Sequence, residues 1–204
     1  MTPKPTLYIA DDDQAVRDSL KALLGARGFA LETFDSAESF LAAMNRDVTG
    51  CAILDIRMPG MSGLELQREL KRRGIALPVI IITGHGDVTL AVTALKAGAV
   101  DFLEKPFDSD VLITSIEDAL RRGAAALSAA FDRDSVAARR AQLTAREREV
   151  MDLVVAGHPN KVVANRLAIA VRTVEIHRAK VMDKMTARNL SEVVRMAILL
   201  DQNS

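Results

Sequence analysis

Five short apolar segments alternate with amphipathic segments over the first 121 residues of this chain. The apolar segments are strand-like and lie near residues 6–10, 30–34, 51–54, 78–82 and 100–103. After each of them, apolar residues recur at helical spacing, in the segments 14–27, 36–44, 63–73, 87–97 and 108–121. Strands that alternate with helices form a parallel sheet covered on both faces. We therefore expect an α/β domain of the flavodoxin-like (βα)5 type, with the strand order 2-1-3-4-5.

Polar side chains stand at the carboxyl ends of four of these strands. They are Asp11, Asp12 and Asp13 after the first strand, Asp55 at the end of the third, Thr83 at the end of the fourth and Lys105 after the fifth. Because the carboxyl ends of parallel strands form one rim, where ligands bind, we expect these side chains to lie close together. Crowded carboxylates repel one another unless a cation is present, and Mg2+ prefers carboxylate, water and phosphate oxygens. The sequence therefore predicts a magnesium site at this rim.

Length and composition place the chain among ordinary globular proteins. It has 204 residues, 49% hydrophobic and 26% charged, which suits one large or two small domains. A single cysteine excludes an internal disulfide and fits a reducing compartment. The apolar run near the N-terminus is too short for a signal peptide, and no segment approaches the ~18 apolar residues of a membrane span. We expect a cytoplasmic protein without a membrane partner.

The net charge of zero hides a division along the chain. Residues 1–121 carry 13 basic and 18 acidic residues, for a charge of −5. Residues 122–142 carry 4 and 2, and residues 143–204 carry 10 and 7, for charges of +2 and +3. The first part suits a cation site, and the last suits a polyanion, although an excess of this size is mild.

The rim residues occur within recognisable motifs. Asp11-Asp12, the segment 55–63 that begins at Asp55, Thr83-Gly84 and Lys105-Pro106-Phe107 resemble, in this order, the receiver domain of bacterial two-component response regulators. The resemblance covers about 120 residues and implies that a sensor histidine kinase phosphorylates Asp55. It also implies that Asp55 is one of the metal ligands.

The resemblance assigns roles to the other rim residues. Asp12 is expected to bind Mg2+ directly, Asp11 through water, and Arg57 through its backbone carbonyl. Lys105 is expected to pair with the phosphoryl oxygens, and Thr83 to donate a hydrogen bond to them. A carboxylate can accept a phosphoryl group when a cation neutralises both partners.

The same resemblance predicts how the signal leaves the site. In receiver domains the switch runs from the threonine to an aromatic residue on the fifth strand, which is Phe102 here. The neighbouring face contains Val88, Val92, Lys96 and Asp101, which are candidates for a dimer surface. The alternative that the valines belong only to the core stays open.

Residues 122–142 connect this domain to the rest of the chain. The segment is rich in alanine, the best helix former, so we expect a largely helical linker. The predicted domains are therefore residues 1–121, a linker over 122–142, and residues 143–204.

The last 62 residues have the pattern of a small all-α domain of four helices. A capping box at Thr144 and Glu147 opens the first helix, and Asn160 is expected to cap the second. Short helices with tight turns fit a helix-turn-helix module. The pattern, which includes Asn160-Lys161 and Arg172-Thr173-Val174-Glu175, resembles the DNA-binding domain of LuxR/GerE-type transcription factors. Ala170 departs from that family, which usually has a capping serine there.

The third of these helices has two distinct sides. At about 100° per residue, Val174, Val181 and Met185 fall on one side and Ile176 on the other. The residues expected to contact promoter DNA are Lys161 on the second helix and, on the outer side of the third helix and its flanks, Arg172, Thr173, Glu175, Ile176, Ala179 and Lys180. Apolar residues meet thymine methyl groups, small residues allow close approach, and cations contact phosphates.

As a whole, the chain resembles the NarL/FixJ family of response regulators, and its short motifs are most like the FixJ branch. This implies a phosphorylation-activated transcriptional activator in nitrogen-fixation control, with an oxygen-sensing FixL-like kinase, RNA polymerase and a second phosphorylated copy of the chain as partners. It is not expected to be an enzyme, apart from catalysing its own phosphorylation and dephosphorylation at Asp55. Two alternatives remain, a phosphoaspartyl enzyme built on the acidic rim and a constitutive DNA binder that uses its N-terminal domain only to dimerise.

Overall fold

Five parallel strands form one sheet in the order β2-β1-β3-β4-β5, which is the order predicted from the sequence. The strands are β1 (Thr6–Ala10), β2 (Ala30–Phe34), β3 (Gly50–Asp55), β4 (Val79–Thr83) and β5 (Asp101–Glu104). The computed structural model describes residues 5–84, 88–124 and 133–201.

A helix follows each strand, as the amphipathic segments predicted. The helices are α1 (Gln14–Ala26), α2 (Ala37–Ala43), α3 (Gly63–Arg72), α4 (Val88–Lys96) and α5 (Ser109–Ala124). Asp13 caps α1, because its carboxylate accepts the backbone N–H of Ala15 at 2.8 Å. Ser62 opens α3 with a complete capping box.

Both faces of the sheet are buried. On one face, Leu7 and Ile9 of β1 share an apolar cluster with Leu20 of α1 and Leu112 of α5. On the other face, Tyr8 meets Phe40 of α2 edge to face, with ring centroids 6.3 Å apart. Alternation along a strand sends neighbouring side chains to opposite faces. Burial of each large apolar side chain contributes about 1.5–3 kcal/mol, which holds the rim at the strand ends in place.

Five helices form the C-terminal part: α6 (Arg133–Ala141), α7 (Ala145–Val155), α8 (Asn160–Leu167), α9 (Val171–Met185) and α10 (Leu190–Asp201). Their apolar side chains form two clusters. One contains Val136, Leu143, Met151, Val181, Met185, Val193 and Met196. The other contains Val150, Val154, Val163, Ala164 and Val174. Because Val136 of α6 is only 1% exposed in the first cluster, α6 packs as part of this helical unit.

The predicted linker is helical at both of its described ends. Helix α5 continues to Ala124 and α6 begins at Arg133, while residues 125–132 lie outside the described part. The chain divides into two compact units, residues 1–86 with 97–128, and residues 87–96 with 129–204. The domain limits 1–121 and 143–204 stay a prediction. In the part of the chain that the structure describes, no helix is both long and apolar enough to cross a membrane.

The capping predictions in the C-terminal part have different outcomes. The capping box of α7 is present: Glu147 N–H donates to Thr144 Oγ1 at 3.2 Å, and Thr144 N–H donates to Glu147 Oε2 at 2.8 Å. The prediction that Asn160 caps α8 is wrong, because Pro159 occupies the cap position and Asn160 is the first helical residue. The Asn160 side chain instead accepts a hydrogen bond from Arg178 at 2.6 Å.

Candidate functional site

Lys105 joins two carboxylates at the carboxyl rim of the sheet. Its Nζ donates to Asp11 Oδ2 at 2.7 Å and to Asp55 Oδ1 at 2.8 Å. The two acids are close because β1 and β3 pair directly, with Ala10 opposite Leu54, and each acid is the next residue. The backbone N–H of Lys105 donates to the Thr83 carbonyl at 2.7 Å, which fixes the lysine relative to β4.

Backbone groups hold the remaining carboxylate oxygens. The N–H of Arg57 donates to Asp55 Oδ2 at 2.5 Å, and the N–H of Asp13 donates to Asp11 Oδ1 at 3.0 Å. The loop after β3 must pass close beneath Asp55, since a Cβ on Gly63 would lie 2.1 Å from the Asp55 carbonyl oxygen. Glycine permits this approach of the loop to the Asp55 backbone.

Arg17 supports the site from α1 and was not predicted from the sequence. It is 9% exposed, and its guanidinium donates to the backbone carbonyl of Asp11 at 2.6 Å and to the side chain of Gln14. Arg17 lies three residues before Leu20 and seven before Leu24, on the buried side of the helix. A charged residue at a core-facing position was therefore the available signal.

Burial and hydrogen bonding act in opposite directions on the pKa values of Asp11 and Lys105. Asp11 is 1% exposed, and burial raises its pKa, although the hydrogen bonds from Lys105 and Asp13 oppose this. Burial by itself lowers the pKa of Lys105, but its bonds to Asp11 and Asp55 outweigh burial and raise it. When both acids are ionised, one ammonium group faces two buried carboxylates. This excess of negative charge favours a further cation beside Asp55.

The other predicted rim residues differ in their exposure. Asp12 and the side chain of Arg57 are exposed, whereas Thr83 is fully buried at the end of β4. Among residues 5–84, 88–124 and 133–201, no three His, Cys, Asp or Glu side chains form a group arranged to hold a metal ion. The structure thus brings Asp11, Asp55 and Lys105 together without gathering a third carboxylate.

The predicted switch and dimer residues do not all reach the surface. Phe102 is half-buried, as is Val88, and Lys96 is exposed, but Val92 is only 3% exposed. Asp101 is only 5% exposed, which removes it from the exposed face where we predicted it. The physical reason is that Asp101 faces α5, where its carboxylate accepts the hydroxyl of Ser115 at 2.6 Å.

The exposed side of α9 matches the angular analysis. Val174, Val181 and Met185 are buried in the two apolar clusters. The residues predicted to contact DNA are exposed, apart from the half-buried Thr173; they are Lys161 on α8 and Arg172, Glu175, Ile176, Ala179 and Lys180 on α9. Ile176 is 47% exposed, so it is a large apolar side chain surrounded by polar ones.

The start of α9 carries two further features. Ala170 occupies the cap position and makes no side-chain hydrogen bond, in keeping with the missing serine. Arg172 lies 3.2 Å from Glu175 in an exposed ion pair. Exposed pairs of this kind contribute only about 0–1 kcal/mol, so Arg172 is available to a stronger anion.

Comparison with protein families identifies the class to which this fold and site belong. The family "Response regulator receiver domain" matches residues 7–117, and the family "Bacterial regulatory proteins, luxR family" matches residues 141–197. The chain therefore belongs to the two-component response regulators that join a receiver domain to a luxR-type DNA-binding domain. It is a transcriptional regulator and not an enzyme in the ordinary sense.

Within this class the chain is similar to FixJ over nearly its whole length. It is 48% identical over 198 residues to the transcriptional regulatory protein FixJ of Bradyrhizobium diazoefficiens, which covers 97% of each chain. It is also 48% identical over 193 residues to the C4-dicarboxylate transport transcriptional regulatory protein DctR of Rhodobacter capsulatus, covering 94% of this chain and 98% of that protein. The crystal structure of full-length FixJ from B. japonicum covers all of both chains, with 46% identity and a TM-score of 0.58.

Proposed function

We propose that Asp55 accepts a phosphoryl group and that Mg2+ binds beside it. The observation that carries the proposal is the position of Lys105 Nζ, 2.7 Å from Asp11 and 2.8 Å from Asp55. Such a lysine orients the acceptor carboxylate and lies ready to meet the oxygens of an incoming phosphate.

The donor set fits a hard cation. Asp11, Asp12, Asp55 and the backbone carbonyl of Arg57 supply only oxygen ligands, which suit Mg2+. Bound there, Mg2+ would neutralise charge on both the acceptor carboxylate and the phosphate. Asp12 is exposed and, among the described residues, forms no metal-holding group with Asp11 and Asp55, so its carboxylate would have to move to join the set.

The transfer itself requires few protein groups. A carboxylate oxygen of Asp55 forms the new O–P bond, while the bond from phosphorus to the donor's leaving group breaks. Lys105 then shares its ammonium protons with the phosphoryl oxygens, and the hydroxyl of Thr83 donates to the same group. The chain thereby catalyses its own phosphorylation and the later hydrolysis of the phosphoaspartate, with positioning and charge as the main contributions.

Labelling tests this proposal. Acetyl phosphate with Mg2+ is expected to label the wild-type chain at a site that hydroxylamine releases, as it does an acyl phosphate. Asp55→Asn is expected to lose the label, and Asp47→Asn, a change at an exposed aspartate before β3, is expected to retain it. Labelling of Asp55→Asn at the wild-type level contradicts the assignment, and undiminished labelling in the presence of EDTA contradicts the role of Mg2+.

For the luxR-type DNA-binding domain, we propose that α9 is the recognition helix. Ile176 would meet thymine methyl groups, and the small side chain of Ala179 would let the helix approach the groove. Further contacts are proposed for Lys161, Arg172, Thr173, Glu175 and Lys180. Among these, the cations would contact phosphates or, for Arg172, guanine, and Glu175 would accept from cytosine N4.

Phosphorylation would act by pairing two copies of the chain. We propose a homodimer formed around the half-buried Val88 and the exposed Lys96, with Phe102 changing its packing as the switch. A dimer reads two half-sites at once, which raises affinity without new contacts to either. The DNA-bound dimer would then recruit RNA polymerase in the cytoplasm.

The upstream partner is proposed to be a sensor kinase of the FixL type, in oxygen-responsive control of nitrogen fixation. The similarity to FixJ supports this, whereas the equal identity to DctR shows that a chain this similar can serve a different system. Phosphotransfer from a purified FixL-type haem kinase tests it, with and without oxygen. Transfer that is slow and independent of oxygen assigns the chain to another kinase.

A further inference from the structure

Arg178 is the arginine of α9 that does not lie on the exposed side of the helix. Its side chain is half-buried and lines an apolar cavity with Val150, Val154 and Val181. Its guanidinium reaches from α9 to the first residue of α8, where it donates to Asn160 Oδ1 at 2.6 Å. Burial lowers the pKa of Arg178, which Glu175 partly opposes. Arg178 thus uses a buried stem to reach the neighbouring helix.

The helical repeat keeps Arg178 away from the proposed DNA side. At about 100° per residue, Arg178 lies about 160° around the helix from Ile176. Ile176, Ala179 and Lys180 are all exposed on the other side. Glu175 lies nearer, about 60° around the helix, but the Arg178 guanidinium is bonded to Asn160 on α8.

Asn160 lies where the first turn of α8 contacts the recognition helix. It is the first residue of α8, immediately before the exposed Lys161, and the cap residue Pro159 makes no side-chain hydrogen bond to the helix. Farther along α8, Val163 is buried in the cluster that contains Val174 of α9. Apolar contact of this kind has no direction, whereas a charge-assisted hydrogen bond fixes both distance and orientation.

We propose that the hydrogen bond between Asn160 and Arg178 is a positioning element for DNA binding. It fixes the first turn of α8 on the recognition helix, so that Lys161 reaches a phosphate while Ile176 lies in the groove. Asn160 and Arg178 are positioning residues that act through Lys161 and Ile176. The inference rests on the DNA-contacting side proposed above for α8 and α9.

The test uses a substitution that leaves the charge unchanged. Full-length protein, phosphorylated with acetyl phosphate, is titrated at several salt concentrations with two 30-base-pair duplexes. One duplex is selected by the wild-type protein from a random pool, and the other is its scrambled version. Asn160→Ala is expected to make the salt dependence shallower by about one unit per protomer, like Lys161→Ala, because the phosphate contact of Lys161 is lost. The ratio of specific to scrambled affinity is expected to fall about tenfold, because the base contacts of α9 are then out of register with the phosphate contact of α8.

Two further variants sharpen the comparison. Asn165→Ala changes an exposed asparagine of the same helix and is expected to behave like the wild type. Asn160→Ala added to Lys161→Ala is expected to cause no further change in the salt dependence. Circular dichroism and thermal unfolding confirm that each variant is folded. If Asn160→Ala is unfolded, Asn160→Ser replaces it, because serine keeps a polar side chain at this position but its hydroxyl is too short to reach Arg178.

The outcomes separate this inference from the proposed DNA-contacting side. If Lys161→Ala makes the salt dependence shallower and Asn160→Ala does not, the positioning role is overturned and the DNA-contacting side stands. If Asn160→Ala weakens both duplexes equally without changing the salt dependence, Asn160 is itself a contact, and the positioning role is again overturned. If Lys161→Ala has no effect, the proposed DNA-contacting side fails together with the inference.

Discussion

Lys184 Nζ lies 2.6 Å from Glu147 Oε2, the same oxygen that accepts the backbone N–H of Thr144 at 2.8 Å. One carboxylate therefore closes the capping box of α7 and ties the start of that helix to the end of α9. Glu147 is only 3% exposed. The bonds from Lys184 and Thr144 lower the pKa of its carboxyl to about 2.

This carboxylate makes the stability of the C-terminal helices depend on pH. The folded-state pKa of Glu147 is about 2, below its ordinary value of 4.5, so the unfolded chain binds its proton first as pH falls. The stabilisation is complete above about pH 5 and is lost as pH falls towards 2. Glu147→Gln is expected to cost about 1–2 kcal/mol at pH 7 and to flatten the pH dependence between 5 and 2. Urea unfolding at each pH measures this, with the exposed Glu149→Gln as control.

Removal of Lys105 is expected to make the stability of the receiver domain depend more strongly on Mg2+. Lys105→Met leaves Asp11 and Asp55 facing each other without an ammonium group, which should destabilise the receiver domain by about 1–3 kcal/mol, the cost of buried acceptors left without a partner. Mg2+ should restore more stability to this variant than to the wild type, because it replaces a missing charge. Thermal unfolding with Mg2+ and with EDTA tests this, and equal Mg2+ effects on both proteins would contradict the proposed metal position.

The dimer surface is tested by reversing a charge. Lys96→Glu is expected to weaken the phosphorylation-dependent dimer at least tenfold, because Lys96 is the exposed charge on the proposed surface. Sedimentation of protein treated with acetyl phosphate measures the association. Lys71→Glu, at an exposed position on α3, is the matched control. A wild-type protein that is labelled at Asp55 but stays monomeric refutes the dimer itself.

Substitutions of Ile176 and Lys161 are expected to affect DNA binding differently: the first lowers sequence specificity, and the second lowers affinity for any sequence. Ile176→Asp places a carboxylate in the groove and removes a methyl contact, so it should lower affinity for the selected duplex by about 1–3 kcal/mol. Lys161→Ala should weaken selected and scrambled duplexes equally. Titration of both duplexes distinguishes the two effects. An unchanged affinity ratio for a folded Ile176→Asp protein shows that α9 is not the recognition helix.

We expect that a stable fragment containing the DNA-binding domain has to include α6. Val136 is buried, and Arg139 donates to the carbonyl of Met185 at 3.2 Å at the end of α9. A fragment of residues 133–204 should therefore be about 2–3 kcal/mol more stable than residues 143–204, which lacks both contacts. Chemical unfolding of the two fragments gives the difference. Equal stability means that α6 only connects the two units.

Local patterns in the sequence were sufficient for much of this molecule. Apolar periodicity located the strands and helices, and their alternation indicated a parallel sheet, for which the flavodoxin-like order was expected. The capping box of α7 was also readable, because its two partners, Thr144 and Glu147, lie one turn apart. The buried and exposed sides of α9 followed from the helical repeat alone. In each case the decisive relationship spans only a few residues, and backbone geometry fixes it.

Contacts between distant elements needed the tertiary structure. Asp101 had the polarity of a surface residue, yet Ser115 on α5 holds it inside. Asn160 had the chemistry of a helix cap, but Arg178, 18 residues later, takes its side chain. Lys184 meets Glu147 across 37 residues, and Lys105 meets Asp11 across 94. No local pattern specifies such pairs, because a polar side chain can satisfy its hydrogen bonds in several ways, and the packing of the helices and strands selects one.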